Sequence, residues 1–205
     1  MQGDSDQGLD IGALAADPVS QFRNWFELTR DAGLVDRTAM TLASVDSRGR
    51  PSARIVLLKD IRDEGVVFYT NYESRKGREL LQNPWCALVF WWDRLGRQVR
   101  IEGQARQLSA ADSDAYFATR PRDSQLGAWA SPQSQAVDSR ATLEQRLTEL
   151  EREYEGRAVP RPPHWGGFCV VPESVEFWLS RGARMHDRLR YLRHGDGWTI
   201  ERLAP

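Results

Sequence analysis

Five short runs of branched and aromatic residues between positions 38 and 108 constrain the fold most strongly. In chain order these runs are TAMTLASV, PSARIVLLK, VVFYTN, WCALVFWW and RQVRIEGQARQL. Turn-forming segments such as DSRGR, IRDEG and DRLG separate them, and runs of this length and composition between such turns are typical of β-strands. Because the connections are short, we predict antiparallel pairing, with one hairpin from the first two runs and another from the second and third.

Helical patterns interrupt and follow these strands. Val19, Phe22 and Phe26 recur at helical spacing in residues 18–32, and leucines do so in residues 139–154. Ser74 and Ser109 precede two further segments, RKGRELLQN and AADSDAYFATR, in the position of a helix N-cap. The chain then returns to strand-like runs, which are GFCVV, SVEFWLS, HDRLRYLR and WTIERL.

These elements predict one mainly-β domain of the α+β class over residues 18–205. Antiparallel strands with a helical interruption favour a small barrel that carries its helices on the outside. Residues 1–17 contain four aspartates, several glycines and no basic residue, so we predict a mobile N-terminal tail there.

Composition excludes several classes of protein. A chain of 205 residues fits one domain, and a formal net charge of −1 argues against a nucleic-acid partner. No apolar run approaches the roughly 18 residues of a membrane span, and the N-terminus lacks the basic start of a signal peptide. We therefore expect a cytoplasmic protein without a membrane partner, in which Cys86 and Cys169 are buried, reduced thiols.

Lysine is rare in this chain: all but two of the 28 basic residues are arginines. A GC-rich genome explains the bias, but both lysines lie in suggestive places. Lys59 ends the run RIVLLK, which Arg54 begins, and the odd separation predicts opposite faces of a strand. Arg75 and Lys76 lie where a helix begins, a position that suits cations only if an anion joins them. A phosphate site and a pair of exposed basic residues are both compatible with this pattern.

The segment YFATRPRDSQLGAWASPQSQ, residues 116–135, is rich in hydrogen-bond donors and has one acid. Tyr116 and Arg120 are four residues apart on one helical face, and Ser124 follows Pro121 near a new helix start. Three converging donors suit a phosphate monoester, whose charge is about −1.5 to −2 near neutral pH. Alternatively, Arg120 caps the preceding helix and Ser124 is an ordinary N-cap.

Near the C-terminus, RGARMHDRLRY places Arg184, His186 and Arg188 at alternating positions, which predicts one shared face of an extended segment. His164 and His194 do not complete a metal-ligand spacing with His186, so no metal site is expected. The chain contains no GxGxxG, P-loop, catalytic-serine or CxxC motif.

Taken together, RIVLLK, FYTNYESRKGREL, RQVRIEG, YFATRPRDSQLGAWASPQSQ, PRPPHWGGF, EFW and RMHDRLRY resemble the pyridoxamine 5′-phosphate oxidase family, in order from about residue 18 to Pro205. The resemblance implies an FMN-binding split β-barrel with a Greek-key-like course, and a homodimer whose active sites lie at the subunit interface. It implies FMN contacts from Arg54, Ile55, Val56, Leu57, Leu58, Lys59, Tyr69, Thr70, Arg75, Lys76, Gln98, Gln133, Ser134, Trp178 and Arg188.

By the same resemblance, the substrate phosphate is bound by Lys59, Tyr116, Arg120 and Ser124, and the pyridine ring by Arg184, Met185 and His186. Arg184 and His186 are the implied catalytic residues. The implied activity is that of a pyridoxal 5′-phosphate synthase in vitamin B6 salvage. Pyridoxine or pyridoxamine 5′-phosphate loses a hydride from C4′ to the flavin, and oxygen then reoxidises the flavin and yields hydrogen peroxide.

The chain departs from the family pattern in two places. Family members often carry a basic, tyrosine-containing N-terminal segment, whereas residues 1–17 have no Arg, Lys or Tyr. The stretch FWLSRGA stands where many members have Gln and Gly after the Trp, and Met185 stands where Leu is common. Two other hypotheses are a flavin oxidase for a different aromatic ring, as in phenazine-pathway relatives, and a module that binds FMN or pyridoxal phosphate without turnover.

Overall fold

The computed structural model describes residues 8–205. Five helices are present in this range: α1 Pro18–Leu28, α2 Arg75–Gln82, α3 Ala110–Thr119, α4 Arg122–Ala130 and α5 Arg140–Glu153. The strands are β1 Ala39–Val45, β2 Pro51–Leu57, β3 Asp60–Arg62, β4 Gly65–Asn71, β5 Trp85–Trp92, β6 Arg97–Gln107, β7 Trp165–Leu179, β8 Asp187–His194 and β9 Gly197–Arg202. Ser74, Ser109 and Ser139 each accept a backbone N–H bond as the N-cap of α2, α3 and α5.

All strands belong to one antiparallel sheet, in the order β2-β1-β5-β6-β7-β4-β3, with β8 and β9 attached through β7. The predicted mainly-β antiparallel architecture with peripheral helices is confirmed. Strand β2 ends the order, so one of its edges has no partner among the described strands.

The long strand β7 corrects a prediction, because GFCVV and SVEFWLS are parts of one strand of 15 residues. Pro172 lies inside it, opposite Gly103, and Glu173 has no partner on β6. A bulge of this kind is one of the few strand positions where a proline, which has no N–H, is tolerated. The strand therefore continues through a residue that appears in the sequence as a break.

The first predicted hairpin is confirmed, with β1 and β2 paired from Ala39 opposite Leu57 to Val45 opposite Pro51. The second is wrong, because β4 pairs with β3 and β7 instead of β2. The chain changes partners just after β2: the N–H of Leu58 bonds the carbonyl of Thr38, whereas the N–H of Lys59 bonds that of Val67. Leu58 is buried in the core at this point, which anchors the change of direction.

Two apolar clusters stabilise the fold. The larger consists mainly of side chains from the strands, with fully buried members such as Leu42, Phe68, Val99 and Phe177. Helix α1 covers it through Trp25, whose ring lies 5.1 Å from that of Phe177. The smaller cluster joins α3, α4 and α5 to the start of β7, with Phe117, Leu126, Leu150 and Trp165 among its members. The helices α3 and α4 are thereby held against the strand that carries Trp165.

The described part of the N-terminal segment contacts the sheet. The N–H of Leu9 donates to Asp187, the hydroxyl of Tyr191 donates to the carbonyl of Ala15 at 2.7 Å, and Asp17 caps α1. Residues 1–7 lie outside the described residues. The mobile tail over residues 1–17, and the boundary at residue 18, remain predictions.

Both cysteines are free and buried, as predicted. Burial raises the pKa of Cys86 to about 12 and that of Cys169 to about 11, so neither forms a thiolate near neutral pH. Among residues 8–205, every helix is too short or too polar to cross a membrane.

The close packing at the bulge makes Gly103 a testable position. A Cβ added to Gly103 would lie 2.1 Å from the carbonyl oxygen of Val171 and 2.9 Å from Cα of Pro172. We expect Gly103→Ala to lower the free energy of unfolding by roughly 1–3 kcal/mol, as other overpacking substitutions do. Urea unfolding at one fixed protein concentration measures this change in the free energy of unfolding.

The matched control is Gly127→Ala, because a Cβ at this helical glycine meets no atom within 4 Å. It is expected to be neutral or to stabilise by about 0.4–1 kcal/mol. Equal unfolding midpoints for the two variants would contradict the bulge packing described here.

Candidate functional site

A cavity of about 440 Å³ lies between the end of β2, strand β4, the start of α2 and the helices α3 and α4. It brings together the four predicted phosphate-binding residues, Lys59, Tyr116, Arg120 and Ser124. Lys59 is also a predicted flavin contact, and seven further predicted flavin contacts line the cavity: Ile55, Val56, Leu57, Tyr69, Thr70, Lys76 and Gln133. We call these eleven residues the cavity group.

The wall of this cavity contains cations but, within the described part of the chain, no aspartate or glutamate. Lys59, Lys76 and Arg120 supply the positive charge. Since the whole chain carries a net charge of −1, this local excess is a property of the site. Such a wall favours an anionic ligand.

The junction of α3 and α4 positions Tyr116, Arg120 and Ser124. Helix α3 ends at Thr119 and Pro121 is the N-cap of α4, so Ser124 falls in the first turn of α4 and is not a cap. The alternative in which Ser124 serves as the N-cap is therefore wrong. The backbone N–H of Arg120 bonds the carbonyl of Phe117, which leaves the side chain to turn toward the cavity.

The guanidinium of Arg120 is held in an apolar setting. Its Cζ lies 4.5 Å from the ring centroid of Trp165, and Nη1 is buried with no hydrogen-bond partner among residues 8–205. Desolvation lowers the pKa of Arg120, and Tyr116 partly offsets this effect. A buried charged donor without a partner is costly, and a bond to an anion typically recovers about 1.5–3 kcal/mol. The orphaned N–H of Arg120 therefore points to a missing anionic ligand.

Three aromatic rings form one wall of the cavity. Tyr69 stacks on Tyr116 with centroids 3.9 Å apart and on Trp165 at 5.4 Å. Burial raises the pKa of both tyrosines, so their hydroxyls stay protonated and can donate near neutral pH. Trp165 was missed as a site residue, because a lone tryptophan before a strand carries no signal of its own.

Lys76 lies in the first turn of α2 and is only 9% exposed. Its ammonium lies 3.1 Å from Oε1 of Gln133, 3.2 Å from Oγ1 of Thr70 and 3.4 Å from Oγ of Ser74. None of these three partners carries a charge. Burial, and secondarily the charge of Arg54, lowers the pKa of Lys76 to about 8. The helix start proposed as an anion site thus holds a buried cation among neutral oxygens.

Arg54 and Arg75 do not line the cavity but turn to Glu79, a buried carboxylate in α2. Burial would raise the pKa of Glu79, but bonds from Ser44, Ser52 and Arg75 and the charge of Arg54 bring it down to about 2. Glu79 was missed by the sequence-based prediction, because a glutamate in an amphipathic helix is usually solvated. Leu58, also predicted to contact the flavin, is a core side chain.

The remaining predicted residues form a second group, the C-terminal group: Gln98, Trp178, Arg184, Met185, His186 and Arg188. Sheet register places Gln98 beside Trp178 and Trp178 beside Arg188, and the His186 ring lies 4.5 Å from that of Trp178. The side chain of Arg188 donates to the buried Glu176 at 2.7 Å. Ser134 belongs to neither group; it is exposed and adopts a positive φ of 70°.

The predicted extended alternation of Arg184, His186 and Arg188 is wrong. Residues Gly182–Arg184 form a 3₁₀ turn, and only Arg188 of the three lies in strand β8. Ala183 and Arg184 have φ values of 54° and 60°, in the left-handed region that side chains disfavour. The turn therefore gives Arg184 a direction that strand alternation would not.

The two groups lie at opposite ends of β7. Trp165 begins this strand, and Trp178 is thirteen residues further along. At about 3.3 Å per residue, a straight strand of that length spans roughly 40 Å. None of the C-terminal group lines the cavity. A single chain therefore does not gather all the predicted site residues around one ligand.

Two family models and many curated proteins match this sequence. A family model described as "Pyridoxamine 5'-phosphate oxidase" matches residues 29–153, and one described as "Pyridoxine 5'-phosphate oxidase C-terminal dimerisation region" matches residues 165–205. A pyridoxine/pyridoxamine 5′-phosphate oxidase of Rubrobacter xylanophilus is 59% identical over 198 residues, 97% of this chain and 91% of that protein. One of Cyanothece sp. is 54% identical over 199 residues, with 97% and 93% covered.

Two solved structures show the same architecture. PhzG from Burkholderia lata 383, in complex with tetrahydrophenazine-1-carboxylic acid, is 33% identical with a TM-score of 0.92, covering 98% of this chain and all of that one. An FMN-binding, pyridoxamine 5′-phosphate oxidase-related protein from Nostoc punctiforme is 19% identical with a TM-score of 0.73, covering 94% of this chain and 100% of that one, a likeness of fold. The predicted split-barrel fold is thus confirmed, and with two family models covering most of its length, the chain belongs to the pyridoxamine 5′-phosphate oxidase family.

Proposed function

We propose that this chain is an FMN-dependent oxidase that converts pyridoxamine or pyridoxine 5′-phosphate to pyridoxal 5′-phosphate with oxygen, releasing hydrogen peroxide. One observation carries the substrate assignment. Nη1 of Arg120 is buried without a hydrogen-bond partner among residues 8–205, and Arg120 shares the cavity wall with Lys59, Tyr116 and Ser124. No aspartate or glutamate of the described residues lines this wall. These four donors suit the phosphate of the substrate.

The cavity residues also fit the cofactor. Lys76, buried among three neutral oxygens, would meet an anionic group of FMN, and Thr70 and Gln133 hold that lysine in place. Bound FMN would supply the redox chemistry that the side chains of this cavity lack. The protein's own contribution is binding and orientation, since holding two rings in reactive contact replaces a large part of the entropic barrier.

The predicted site residues have positioning roles in this proposal. Arg120, Lys59 and Ser124 fix the substrate's phosphate through charge-assisted and hydroxyl hydrogen bonds, and Tyr116 adds a protonated hydroxyl. The stacked rings of Tyr69, Tyr116 and Trp165 give that end of the cavity an aromatic wall. Arg184 and His186 would orient the pyridine ring, with the imidazole Nδ1 accepting a bond from the N–H of Arg181 at 3.1 Å.

We further propose a homodimer in which the cavity group of one chain meets the C-terminal group of a second copy. The thirteen residues of β7 from Trp165 to Trp178, which would span roughly 40 Å in a straight strand, support this arrangement. The family's C-terminal dimerisation region covers residues 165–205, where most of the C-terminal group lies. Apolar side chains are also exposed in both groups, namely Ile55 and Leu57 in the cavity group and Met185 in the C-terminal group. The cytoplasmic location stays a prediction.

A second candidate is a flavin oxidase that acts on a different aromatic acid. The likeness to PhzG at a TM-score of 0.92 favours it, because that protein was solved with a tricyclic carboxylic acid. The intact set of phosphate donors in this chain favours the phosphorylated substrate instead. A module that binds without turnover is the third candidate.

Spectroscopy separates the three candidates. We expect purified protein loaded with FMN to be yellow, to bleach anaerobically with pyridoxine 5′-phosphate, and to form pyridoxal 5′-phosphate and peroxide in air. Unphosphorylated pyridoxine and a tetrahydrophenazine carboxylic acid are the matched comparisons. Bleaching by the tricyclic acid alone would establish the second candidate. If none of the three compounds bleaches the flavin, the third candidate, a module that binds without turnover, is favoured.

Arg120→Ala tests the phosphate assignment. Loss of the guanidinium should raise KM for pyridoxine 5′-phosphate by roughly ten- to a hundredfold, equivalent to about 1.4–2.8 kcal/mol. Steady-state kinetics of the FMN-loaded enzyme measure it. Arg122→Ala is the control, because Arg122 lies two residues away but donates to the carbonyls of Tyr154 and Arg157 outside the cavity. If KM is equal in both variants, Arg120 does not bind the substrate.

The lowered pKa of Lys76 predicts how FMN binding depends on pH. Lys76 in the folded apoprotein loses its proton near pH 8, whereas an ordinary lysine keeps it to about 10.5. Because the phosphate prefers the charged ammonium, we expect FMN affinity to fall as pH rises above about 8, by up to roughly tenfold per pH unit. Quenching of flavin fluorescence on titration into apoprotein measures the dissociation constant.

The same shift has a consequence for stability. Between pH 8 and 10.5 the unfolded chain binds more protons at Lys76 than the folded chain, so this residue makes the apoprotein's free energy of unfolding rise with pH. Lys76→Met should flatten both pH dependences. An FMN dissociation constant that is the same at pH 7 and pH 9.5 in the unmodified protein would refute the role of Lys76.

A further inference from the structure

Glu79 is a buried carboxylate whose two oxygens hold different partners. It is 4% exposed and lies in α2, against the β1–β2 hairpin. Nε of Arg75 donates to Oε1 at 2.8 Å, while the hydroxyls of Ser44 and Ser52 donate to Oε2 at 2.5 and 2.6 Å. Nη2 of Arg54 lies 3.3 Å from the same Oε2. One acid thus joins two arginines that are twenty-one residues apart in the chain.

The two hydroxyls are shared between Glu79 and Arg54. Nη1 of Arg54 bonds Oγ of Ser44, and Nη2 bonds Oγ of Ser52, so its guanidinium is held on several sides. An arginine fixed in this way has already lost the rotamer freedom that it would otherwise lose on binding a ligand. The arrangement is therefore a preorganised cation and not a mobile surface charge.

Neither arginine lines the cavity, but each adjoins in the chain a residue that does. Arg75 precedes Lys76 in the first turn of α2, and Arg54 precedes Ile55 in β2. The charge of Arg54 also contributes to the lowered pKa of Lys76. The three cations and the single carboxylate leave an excess of two positive charges. A phosphate monoester carries about −1.5 to −2 near neutral pH, which matches that excess.

We propose that Glu79 is a positioning residue for the phosphate of the bound flavin: its carboxylate fixes Arg54 and Arg75 beside Lys76 and sets the charge of the site to that of a phosphate monoester. This inference rests on the proposed binding of FMN in the cavity. Without Glu79 the arginines would keep their charges but lose their common anchor. Glu79 itself touches neither cofactor nor substrate in this assignment.

A general role of Glu79 in stability makes a different prediction. Glu79 joins α2 to the β1–β2 hairpin, so its loss would weaken the fold and affect every ligand alike. A positioning role affects only the phosphate. Riboflavin, which is FMN without its phosphate, separates the two roles because it shares the ring system and the ribityl chain.

The test compares FMN and riboflavin dissociation constants for apoprotein and Glu79→Gln by flavin fluorescence quenching. Glutamine keeps the shape but turns one oxygen into a donor, which releases either Arg75 or the Ser44–Ser52–Arg54 side. We expect the FMN dissociation constant to rise by roughly ten- to a hundredfold, about 1.4–2.8 kcal/mol, while that of riboflavin changes less than about threefold.

Glu201→Gln is the matched control. It removes the acid of an ion pair with Arg190 between β8 and β9, and neither residue lines the cavity. The ratio of FMN to riboflavin affinity should be unchanged in this variant. If Glu79→Gln does not fold, Ser52→Ala removes one hydroxyl shared by Glu79 and Arg54 without changing any charge, and a several-fold loss of FMN affinity alone is expected.

The outcomes distinguish the inference from the proposed function. If the unmodified protein binds FMN no more tightly than riboflavin, the proposed site for the flavin phosphate is wrong, and so is the inference about Glu79. The unmodified protein is expected to bind FMN more tightly than riboflavin. If Glu79→Gln, or Ser52→Ala used in its place, keeps the same preference for FMN, the role of Glu79 is overturned while the proposed function stands. Equal weakening of both flavins would assign Glu79 to the stability of the fold and overturn the inference as well.

Discussion

Strand β7 is the element on which the rest of the structure depends. One edge pairs with β6 along most of its length, while the other pairs first with β4, at Trp165–Val170, and then with β8, at Ser174–Leu179. The change of partner falls around the bulge at Glu173, where Gly103 leaves room for the backbone of Val171. A single continuous strand thus joins the two parts of the sheet and separates the cavity group from the C-terminal group. The proposed dimer follows from that separation.

The cations among the predicted site residues are held in two different ways. In the cavity group, Lys76 and Arg120 are desolvated cations whose burial lowers their pKa values, and no acid lies in the described cavity wall to neutralise them. The buried acids form ion pairs with other arginines instead: Glu79 pairs with Arg54, and Glu176 pairs with Arg188. Cations held without a facing carboxylate cost stability in the free protein, and that cost is offset when an anion binds. This arrangement supports a protein that binds phosphorylated ligands.

Much of the fold was predictable because its signals are local. Strand β5 lies where the run WCALVFWW predicted it, and the serine caps of α2 and α3 were assigned correctly. Errors arose where a local signal was overridden by pairing. Pro172 suggests a break but occupies a bulge, and the segment that contains β3 appeared to be only a turn. Tyr116, Arg120 and Ser124 line one cavity as predicted, although Arg120 lies just beyond the end of α3 and Ser124 belongs to α4. Glu79 and Trp165 carried no local mark.

The sequence by itself determined most of the strand and helix positions, the free, buried cysteines and the family, because each depends on residue type and spacing along the chain. Only the tertiary structure decided that Arg54 and Arg75 share one buried acid, that Arg120 retains an unpaired N–H, and that the predicted site residues fall into two groups. The physical reason is that these features depend on sheet register and on packing between residues far apart in the chain. Local propensities do not specify either one.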